Sequence, residues 1–173
     1  VASATSGNAT ASVTNNGTIT IAASAHAVGG VANASATLTY NGIVQTAAAN
    51  GTGNLATAAI NNQGSLSLGA VGDATATNGA AYGFAEAYEA ISQNATGSGG
   101  ADASAVLNST GTLNIFASAT ANASNGSADA SAYNDYAIAQ YVSTTGGGDA
   151  NAMINLAGAT ISANASAVAG AGA

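Results

Sequence analysis

Side chains that could carry out acid–base chemistry are few in this chain. It has seven carboxylates and one histidine, and it has no lysine, arginine or cysteine. Glu86 and Glu89 lie close together in the sequence and are candidates for a catalytic carboxylate pair. In a β-strand their positions differ in parity, so the two side chains would point to opposite faces of the sheet. A glycosidase mechanism, in which two carboxylates flank one bond, is therefore not expected.

His26 is the only histidine, and Asp73 stands at the equivalent position one 47-residue sequence repeat later. If one repeat forms two coils of a solenoid, these residues lie two coils apart, roughly 10 Å at ~4.8 Å per coil. That distance is too long for a hydrogen-bonded His–Asp pair. Because the chain also lacks Cys and Lys, it has no ordinary nucleophile–base pair, and the sequence predicts that it is not an enzyme.

Two acidic residues follow glycine-rich segments at equivalent positions of neighbouring repeats. The segments are Gly99-Gly100-Ala101-Asp102 and Gly147-Gly148-Asp149. They resemble the calcium-binding nonapeptide repeats of secreted toxins, although this chain does not repeat every nine residues. The resemblance implies a calcium site as an alternative, whereas the preferred interpretation is that the acids are solvated residues of turns. No other cofactor is predicted.

Hydroxyl side chains recur at positions that alternate with apolar residues. They include Thr18, Thr20, Ser65, Ser67 and Thr112. This stripe resembles the Thr-x-Thr faces of β-solenoid antifreeze proteins, and the resemblance implies ice binding as an alternative. The simpler interpretation is that these groups are solvated hydroxyls on the outer face of strands.

Aromatic residues lie mostly in the second half of each repeat. They are Tyr40, Tyr82, Phe84, Tyr88, Phe116, Tyr133, Tyr136 and Tyr141. At inward positions these rings would fill the wider edge of a solenoid, which is the preferred interpretation. At outward positions they would contact another solenoid or a carbohydrate.

The composition excludes several classes of partner. The net charge is −7, and no Lys or Arg is present to displace the counterions of phosphates. Binding to nucleic acid and electrostatic docking on anionic lipid are therefore not expected. No apolar run approaches the ~18 residues of a membrane span, so membrane insertion is not predicted. Large apolar side chains are scarce, and a wide globular core cannot be built from them.

The chain repeats itself every 47 residues, as the spacing of four glycines shows. The glycines are Gly17, Gly64, Gly111 and Gly158, and the last copy of the surrounding segment is slipped by one residue. A second marker, Ile-x-Gln, occurs at Ile43, Ile91 and Ile138. Internal repeats of this length are typical of solenoids, in which each unit buries its apolar face against its neighbours.

Residues at equivalent positions of the repeats form columns of one chemical type. One apolar column contains Val13, Ile60, Leu107 and Ile154, and another contains Ile19, Leu66 and Leu113. Apolar and polar residues alternate within each segment, which is typical of a half-buried strand. Asn15 and Asn62, with Ser109, stand just before the repeated glycine, where a stack of inward side chains would satisfy backbone groups of the turn.

The sequence therefore predicts an all-β fold, a parallel β-solenoid (β-helix) that forms one repetitive domain over residues 1–173. The repeats span about residues 8–54, 55–101, 102–148 and, in part, 149–173. Because the segment that ends at Gly42 is similar to the one that ends at Gly17, each repeat is expected to contain two coils of about 23 residues, or about seven coils in total.

The segments Val13 to Ala27 and Gly42 to Gln45, with their later copies, carry a family resemblance. They resemble the Ala/Gly/Asn-rich repeats of autotransporter passengers and haemagglutinin-like surface proteins of Gram-negative bacteria. The resemblance covers nearly the whole chain and implies an exported β-helix at the cell surface. Val rather than Met at position 1 is expected of a processed secreted product or of a segment of a longer chain.

The ends of such a solenoid expose strand edges, and no Lys or Pro is present to protect them. We therefore expect a homo-oligomer or filament formed through the solenoid ends. The predicted function is that of a secreted or cell-surface structural protein, a self-associating subunit or module of a surface filament or stalk. An adhesin, or an ice- or glycan-binding module that uses a solenoid face, is the alternative.

Overall fold

The computed structural model describes residues 1–39 and 42–170, and these form fifteen β-strands. In chain order they are β1 (Ala2–Ala4), β2 (Ala9–Asn15), β3 (Thr18–Gly29), β4 (Ala32–Leu38), β5 (Ile43–Asn50), β6 (Leu55–Asn62), β7 (Ser65–Ala76), β8 (Ala81–Tyr88), β9 (Ile91–Ser98), β10 (Asp102–Ser109), β11 (Thr112–Ala123), β12 (Ala128–Asp135), β13 (Ile138–Thr144), β14 (Ala150–Leu156) and β15 (Ala159–Ala169).

Strands form because small apolar residues alternate with Ser, Thr or Asn, which gives each strand one apolar and one polar face. In β3, partly buried and exposed residues alternate at every position from Thr18 to Gly29. The predicted alternation is therefore present in the structure. The part of the chain that the structure describes has no helix long and apolar enough to cross a membrane.

The strands form four parallel sheets, which we call A to D. Sheet A contains β1, β5, β9 and β13; sheet B contains β2, β6, β10 and β14; sheet C contains β3, β7, β11 and β15; and sheet D contains β4, β8 and β12. Each strand pairs in parallel with the strand four places later, so the chain winds as a solenoid. The predicted all-β parallel β-solenoid is confirmed.

The prediction of two coils per repeat is wrong, because one coil contains the whole repeat. Ile19 pairs with Leu66, and the offset between paired residues lies between 45 and 49 throughout. Fifteen strands at four per coil give fewer than four coils. The stack is therefore roughly 19 Å tall at ~4.8 Å per coil, and not seven coils.

The two similar halves of a repeat lie opposite each other across the interior instead of stacking on each other. Ala32 and Ala34 of β4 pack against Ala74 and Ala76 of β7 on the facing sheet. Strands that pack face to face and strands that pair edge to edge have the same inward–outward alternation. Similarity between the halves therefore does not distinguish the two arrangements.

The one-residue slip in the last copy of the repeat is confirmed and lies in a turn. Ser109 pairs with Leu156 at an offset of 47, whereas Leu113 pairs with Ala159 at an offset of 46. The turn after Leu156 is thus one residue shorter than its counterparts. Since the slip falls outside the strands, the inward columns continue without a change of parity.

Large apolar side chains are concentrated where sheets A, B and C meet. The buried ones are Ile43, Ile60, Leu66, Leu68, Ile91, Leu107, Leu113 and Ile115, with Val13 and Ile19 packed against them. On either side of this cluster the interior is lined by alanine, between sheets A and B and between sheets C and D. The solenoid is therefore wide only at its Ile/Leu centre.

Sheets C and D approach so closely that two of their inward positions admit only glycine. A Cβ atom at Gly72 would lie 2.0 Å from the carbonyl oxygen of Phe84, and one at Gly83 would lie 2.3 Å from that of Thr120. Real Cβ atoms do not approach backbone oxygens at such distances. The Ala- and Gly-rich composition is thus a requirement of the narrow interior.

Gly17, Gly64 and Gly111 stack directly on one another in the turn between sheets B and C, whereas a Cβ at Gly158, in the shorter last turn, would lie 3.3 Å from the carbonyl oxygen of Gly111. A Cβ at Gly64 would lie 2.0 Å from the carbonyl oxygen of Gly17, and one at Gly111 would lie 2.1 Å from that of Gly64. A Cβ at Gly17 would meet nothing within 4 Å. The glycine is therefore required at Gly64 and Gly111, where the turn of the preceding coil lies directly beneath.

This difference predicts that a Gly→Ala substitution destabilises the fold at one of two equivalent positions and not at the other. Gly64→Ala would force the stacked turns apart and should lower the free energy of unfolding by ~2 kcal/mol or more. Gly17→Ala should leave it unchanged within about 0.5 kcal/mol. Denaturant unfolding followed by circular dichroism measures both values. Equal stability of the two variants would contradict a coil of one 47-residue repeat.

Candidate functional site

The first of two columns of buried amide side chains lies at the turn between sheets B and C. Asn15 Nδ2 donates to Asn62 Oδ1 at 2.8 Å, and Asn62 Nδ2 donates to Ser109 Oγ at 2.8 Å. The same two amide nitrogens donate to the carbonyl oxygens of Ser65 and Thr112 at 2.9 Å. This asparagine ladder satisfies backbone groups of each turn from the coil that precedes it, as predicted.

The second column, the glutamine ladder, joins sheet A to sheet B. Gln93 Nε2 donates to Gln45 Oε1, and Gln140 Nε2 donates to Gln93 Oε1, both at 2.8 Å. Gln93 Nε2 also lies 3.0 Å from the carbonyl oxygen of Val106, and Gln140 Nε2 lies 3.0 Å from that of Met153. Gln93 and Gln140 are therefore each hydrogen-bonded both to the neighbouring coil and to the facing sheet.

The role of these glutamines was not predicted, although the Ile-x-Gln marker was found. Gln45 and Gln93 are buried, with 3% and 0% of their surface exposed. Gln45 shares the parity of Ile43 and Ala47, which are both inward. That shared parity was the signal in the sequence that could have identified a buried amide.

The hydroxyl stripe lies on the outer face of sheet C. Thr18, Thr20 and Thr112 are exposed, whereas Ser65 and Ser67 are half-buried. The next outward column along these strands contains Ala22, Gly69 and Phe116, and the Phe116 ring occupies the space beside Gly69. The stripe is therefore two columns wide and is bounded by an aromatic ring.

The expectation that His26 and Asp73 are too far apart to interact is wrong. They are paired residues of adjacent coils, and His26 Nδ1 lies 3.4 Å from Asp73 Oδ2. The error follows from the two-coil prediction, which doubled their separation. Both side chains are well exposed, so the pair contributes little to stability.

Asp102 connects two successive coils at the turn between sheets A and B. Its Oδ1 accepts a hydrogen bond from the backbone N–H of Asp149 at 2.8 Å. Asn8 makes the equivalent contact in the first coil, accepting from the backbone N–H of Leu55 at 2.9 Å. Residues 1–39 and 42–170 contain no group of three or more His, Cys, Asp or Glu that could hold a metal ion.

Six aromatic side chains lie on the outer surface of sheet D and the adjoining start of sheet A. We call this surface the tyrosine face, and it contains Tyr82, Phe84, Tyr88, Tyr133, Tyr136 and Tyr141. Tyr133 is 50% exposed and Tyr136 is 66% exposed. The preferred interpretation that these rings fill the interior is therefore wrong. Tyr40 falls outside the described residues.

The outward placement follows from the width of the interior. The inward positions of β8 carry only Ala and Gly, and those of β12 carry Ala and Asn134, because sheet C lies close by, so the rings of both strands occur at the positions of opposite parity. The rings of Phe84 and Tyr133 have centroids 5.9 Å apart, and those of Tyr88 and Tyr136 meet edge to face at 5.6 Å. These contacts hold the exposed rings in place.

Glu89 lies beyond the end of β8, in the turn to sheet A, where its backbone φ is +45°. The parity argument that separated Glu86 from Glu89 therefore does not apply, because the strand ends at Tyr88. The Tyr141 hydroxyl donates a hydrogen bond to Glu89 Oε1 at 3.1 Å. Glu89 is thus part of the tyrosine face.

The carboxylate of Glu89 also changes the acidity of Tyr141. The pKa of the Tyr141 phenol is raised above its ordinary value because Glu89 accepts its proton in a hydrogen bond and because Glu89 is negatively charged. Ionisation would break that hydrogen bond and place two negative charges side by side. The neutral, hydrogen-bonding form of Tyr141 is therefore favoured.

A shallow depression of about 200 Å³ lies at the edge of sheet A, on the side of β1. It is lined by Ser3, Ala4, Thr5, Ala48, Ala49, Asn50, Thr96 and Ser98. None of these side chains is an acid, a base or an aromatic ring. The lining therefore offers hydroxyl and amide groups but no acid–base chemistry.

We compared the chain with models of protein families, with curated proteins and with solved structures, and none of these comparisons found a match. The resemblance to autotransporter passengers and haemagglutinin-like proteins therefore stays a prediction from the sequence.

The asparagine ladder predicts a large difference between two adjacent asparagines. Asn62→Ala would leave the buried Asn15 amide without its acceptor, and the Ser109 hydroxyl and the Thr112 carbonyl oxygen without their amide donor, which should lower the free energy of unfolding by ~2 kcal/mol or more. The control is Asn61→Ala, which removes only an exposed contact to Asn108. Denaturant unfolding should show a change of less than about 0.5 kcal/mol for the control.

The contact between Tyr141 and Glu89 predicts a pH effect. Titration of phenolate absorbance, taken as the difference between wild type and Tyr141→Phe, should show an ionisation above the ordinary tyrosine pKa. Glu89→Gln should shift this ionisation to lower pH, because the negative charge that opposes phenolate formation is removed. Asp73→Asn on sheet C serves as the control. An unchanged Tyr141 titration in Glu89→Gln would show that the contact is absent in solution.

Proposed function

We propose that this chain is an extracellular structural protein, a β-solenoid subunit or module of a surface filament or stalk that associates end to end. The observation that carries this proposal is that the apolar columns end in exposed side chains at the C-terminal end of the solenoid. Ile154 is 48% exposed, whereas Ile60 and Leu107 of the same column are 1% and 0% exposed. Ile161 is 50% exposed, whereas Ile115, its partner on β11, is 0% exposed.

A second copy of the chain offers a complementary surface at its N-terminal end. Val13, Ile19 and Ile21 are only partly buried there; Val13 belongs to the column of Ile154 and Ile21 to the column of Ile161. Stacked head to tail, sheets A, B and C continue from β13 to β1, from β14 to β2 and from β15 to β3. Sheet D, with three described strands, is left one strand short at the junction.

The strand edges of sheets A, B and C at both ends lack the residues that usually prevent edge-to-edge pairing. Natural edge strands are blunted by Lys, Pro or charged inward residues. The chain has no Lys, Arg or Pro, and β14 and β15 contain no charged side chain. Head-to-tail stacking of coils along one axis does not close into a ring, so it generates an open filament.

The composition supports a location outside the cell. A chain without Lys or Arg has no cleavage site for trypsin-like proteases. The described solenoid is held by backbone pairing and buried amide ladders, and the chain has no Cys, so its stability does not depend on a disulfide. These properties suit a module of a surface filament.

A second candidate function, an adhesive binding module, is supported by one specific observation. The tyrosine face carries exposed rings at outward positions, where the fold gains little from them. Contiguous exposed aromatic groups rimmed by polar residues are typical of interaction surfaces.

End-to-end association is tested by electron microscopy and X-ray fibre diffraction of the purified chain. We expect filaments one solenoid wide with an axial reflection near ~4.8 Å, the spacing of coils. Ala165→Lys places a charge on the inward side of β15 and should abolish filaments, whereas Asn164→Lys, on the outward side, should not. Circular dichroism checks that both variants remain folded. Monodisperse wild-type monomers at all concentrations would refute the proposal.

A further inference from the structure

The tyrosine face is a prearranged aromatic surface. Four of its tyrosines, Tyr82, Tyr133, Tyr136 and Tyr141, are between 45% and 66% exposed. Ring contacts with Phe84 and Tyr88 and the hydrogen bond to Glu89 hold Tyr133, Tyr136 and Tyr141 in position. Because these side chains are already ordered, a partner that binds them loses little additional conformational entropy.

Carboxylates lie beside the rings of this face in a regular arrangement. At three register positions of β8 and β12, a tyrosine on one strand is the direct neighbour of an acid on the other, with strands ~4.8 Å apart. The pairs are Tyr82 with Asp129, Glu86 with Tyr133, and Tyr88 with Asp135. Each pair thus places an aromatic residue and an acidic residue side by side on the outward face of sheet D.

The charge of this surface determines what kind of partner fits it. Four of the seven carboxylates of the chain lie here: Glu86, Glu89, Asp129 and Asp135. The chain contains no Lys or Arg, so a second copy cannot supply side chains that neutralise them. Like charges placed against each other oppose association. The complementary partner is therefore cationic and is not another copy of this chain.

We propose that the tyrosine face binds an extended, arginine-rich segment of another protein. This inference rests on the second candidate function, a binding face, and is independent of association at the solenoid ends. A guanidinium group stacks on a tyrosine ring and at the same time donates hydrogen bonds to a carboxylate, so each Tyr–acid pair is a site for one arginine.

The spacing of the pairs matches an extended peptide. At ~3.3 Å per residue, the pairs at Tyr82, Glu86 and Tyr88 lie ~13 Å and ~7 Å apart along β8. An extended segment that runs along the strand projects every second side chain to one side at the same ~7 Å interval. Arginines at alternate positions of such a segment therefore reach successive Tyr–acid pairs.

Arginine is favoured over lysine by the geometry of the pairs. The planar guanidinium stacks on aromatic rings and forms two parallel hydrogen bonds to a carboxylate, whereas an ammonium group is a strongly hydrated point charge. Binding should therefore decrease when arginine is replaced by lysine in an otherwise identical peptide. A purely electrostatic attraction would bind both peptides equally.

The test uses fluorescence anisotropy with labelled synthetic peptides, (Arg-Ser)₄ and the matched (Lys-Ser)₄ and (Gln-Ser)₄. Each is titrated with the wild-type chain and with Ala165→Lys, so that end-to-end association does not affect the result. We expect binding of the arginine peptide that weakens with salt and exceeds binding of the lysine peptide. The glutamine peptide should not bind.

Variants of the chain measure separately how much the rings and the charges contribute to the affinity for the arginine peptide. Tyr133→Ala should weaken binding of the arginine peptide by about 3- to 10-fold, the range expected for loss of one cation–π contact. Glu86→Gln with Asp129→Asn should weaken it by ~10-fold or more. Asp102→Asn with Asp149→Asn removes the same charge from the turn between sheets A and B and is the matched control. It should leave the affinity unchanged.

Three results would overturn the inference. Equal loss of affinity in the control pair would mean that only the net charge matters. Equal binding of the arginine and lysine peptides, together with no effect of Tyr133→Ala, would mean that the rings do not take part. Binding of a neutral oligosaccharide such as cellohexaose, without binding of the arginine peptide, would assign the face to glycans instead. None of these results bears on filament formation.

Discussion

The parallel pairing of each coil with the next, residue for residue, is the constraint on which the rest of the structure depends. Across the 47-residue repeat, Ala9 pairs with Ala56 and Val13 with Ile60, so like side chains stack directly on like side chains. The chain has no disulfide and no Lys or Arg, and its interior is mostly alanine. In-register backbone hydrogen bonds therefore supply much of the stability that a large apolar core supplies in globular proteins.

The buried amides depend on that register and also reinforce it. Gln93 reaches Gln45 and the facing sheet only because the two glutamines are paired in register on adjacent coils. A shift of the strand register by one residue would turn the amide outward. Asn62 has the same relation to Asn15 in the turn between sheets B and C. A buried amide without partners is costly, so the two ladders disfavour alternative registers.

Most of the strand pattern could be predicted from the sequence, because alternation and a constant period are local or one-dimensional signals. The number of strands per coil could not be predicted, because strands that pair edge to edge and strands that face each other have the same inward–outward alternation of side chains. The predicted separation of His26 and Asp73 was wrong for that reason alone. The position of the tyrosine rings depended on the width of the interior, which Gly72 and Gly83 determine through close approach of two sheets. No local property of Tyr133 or Tyr136 reports that width.

The direction of the hydrogen bonds has a mechanical consequence. The bonds between coils run along the solenoid axis, so a force that pulls the two ends of the solenoid apart loads every sheet that crosses one coil boundary at the same time. Strands such as β7 and β11, each 12 residues long, share that load with their neighbours. A force applied to one chain terminus would instead peel strands singly. The same protein thus resists a force on the two ends of the solenoid and yields to a force on one chain terminus.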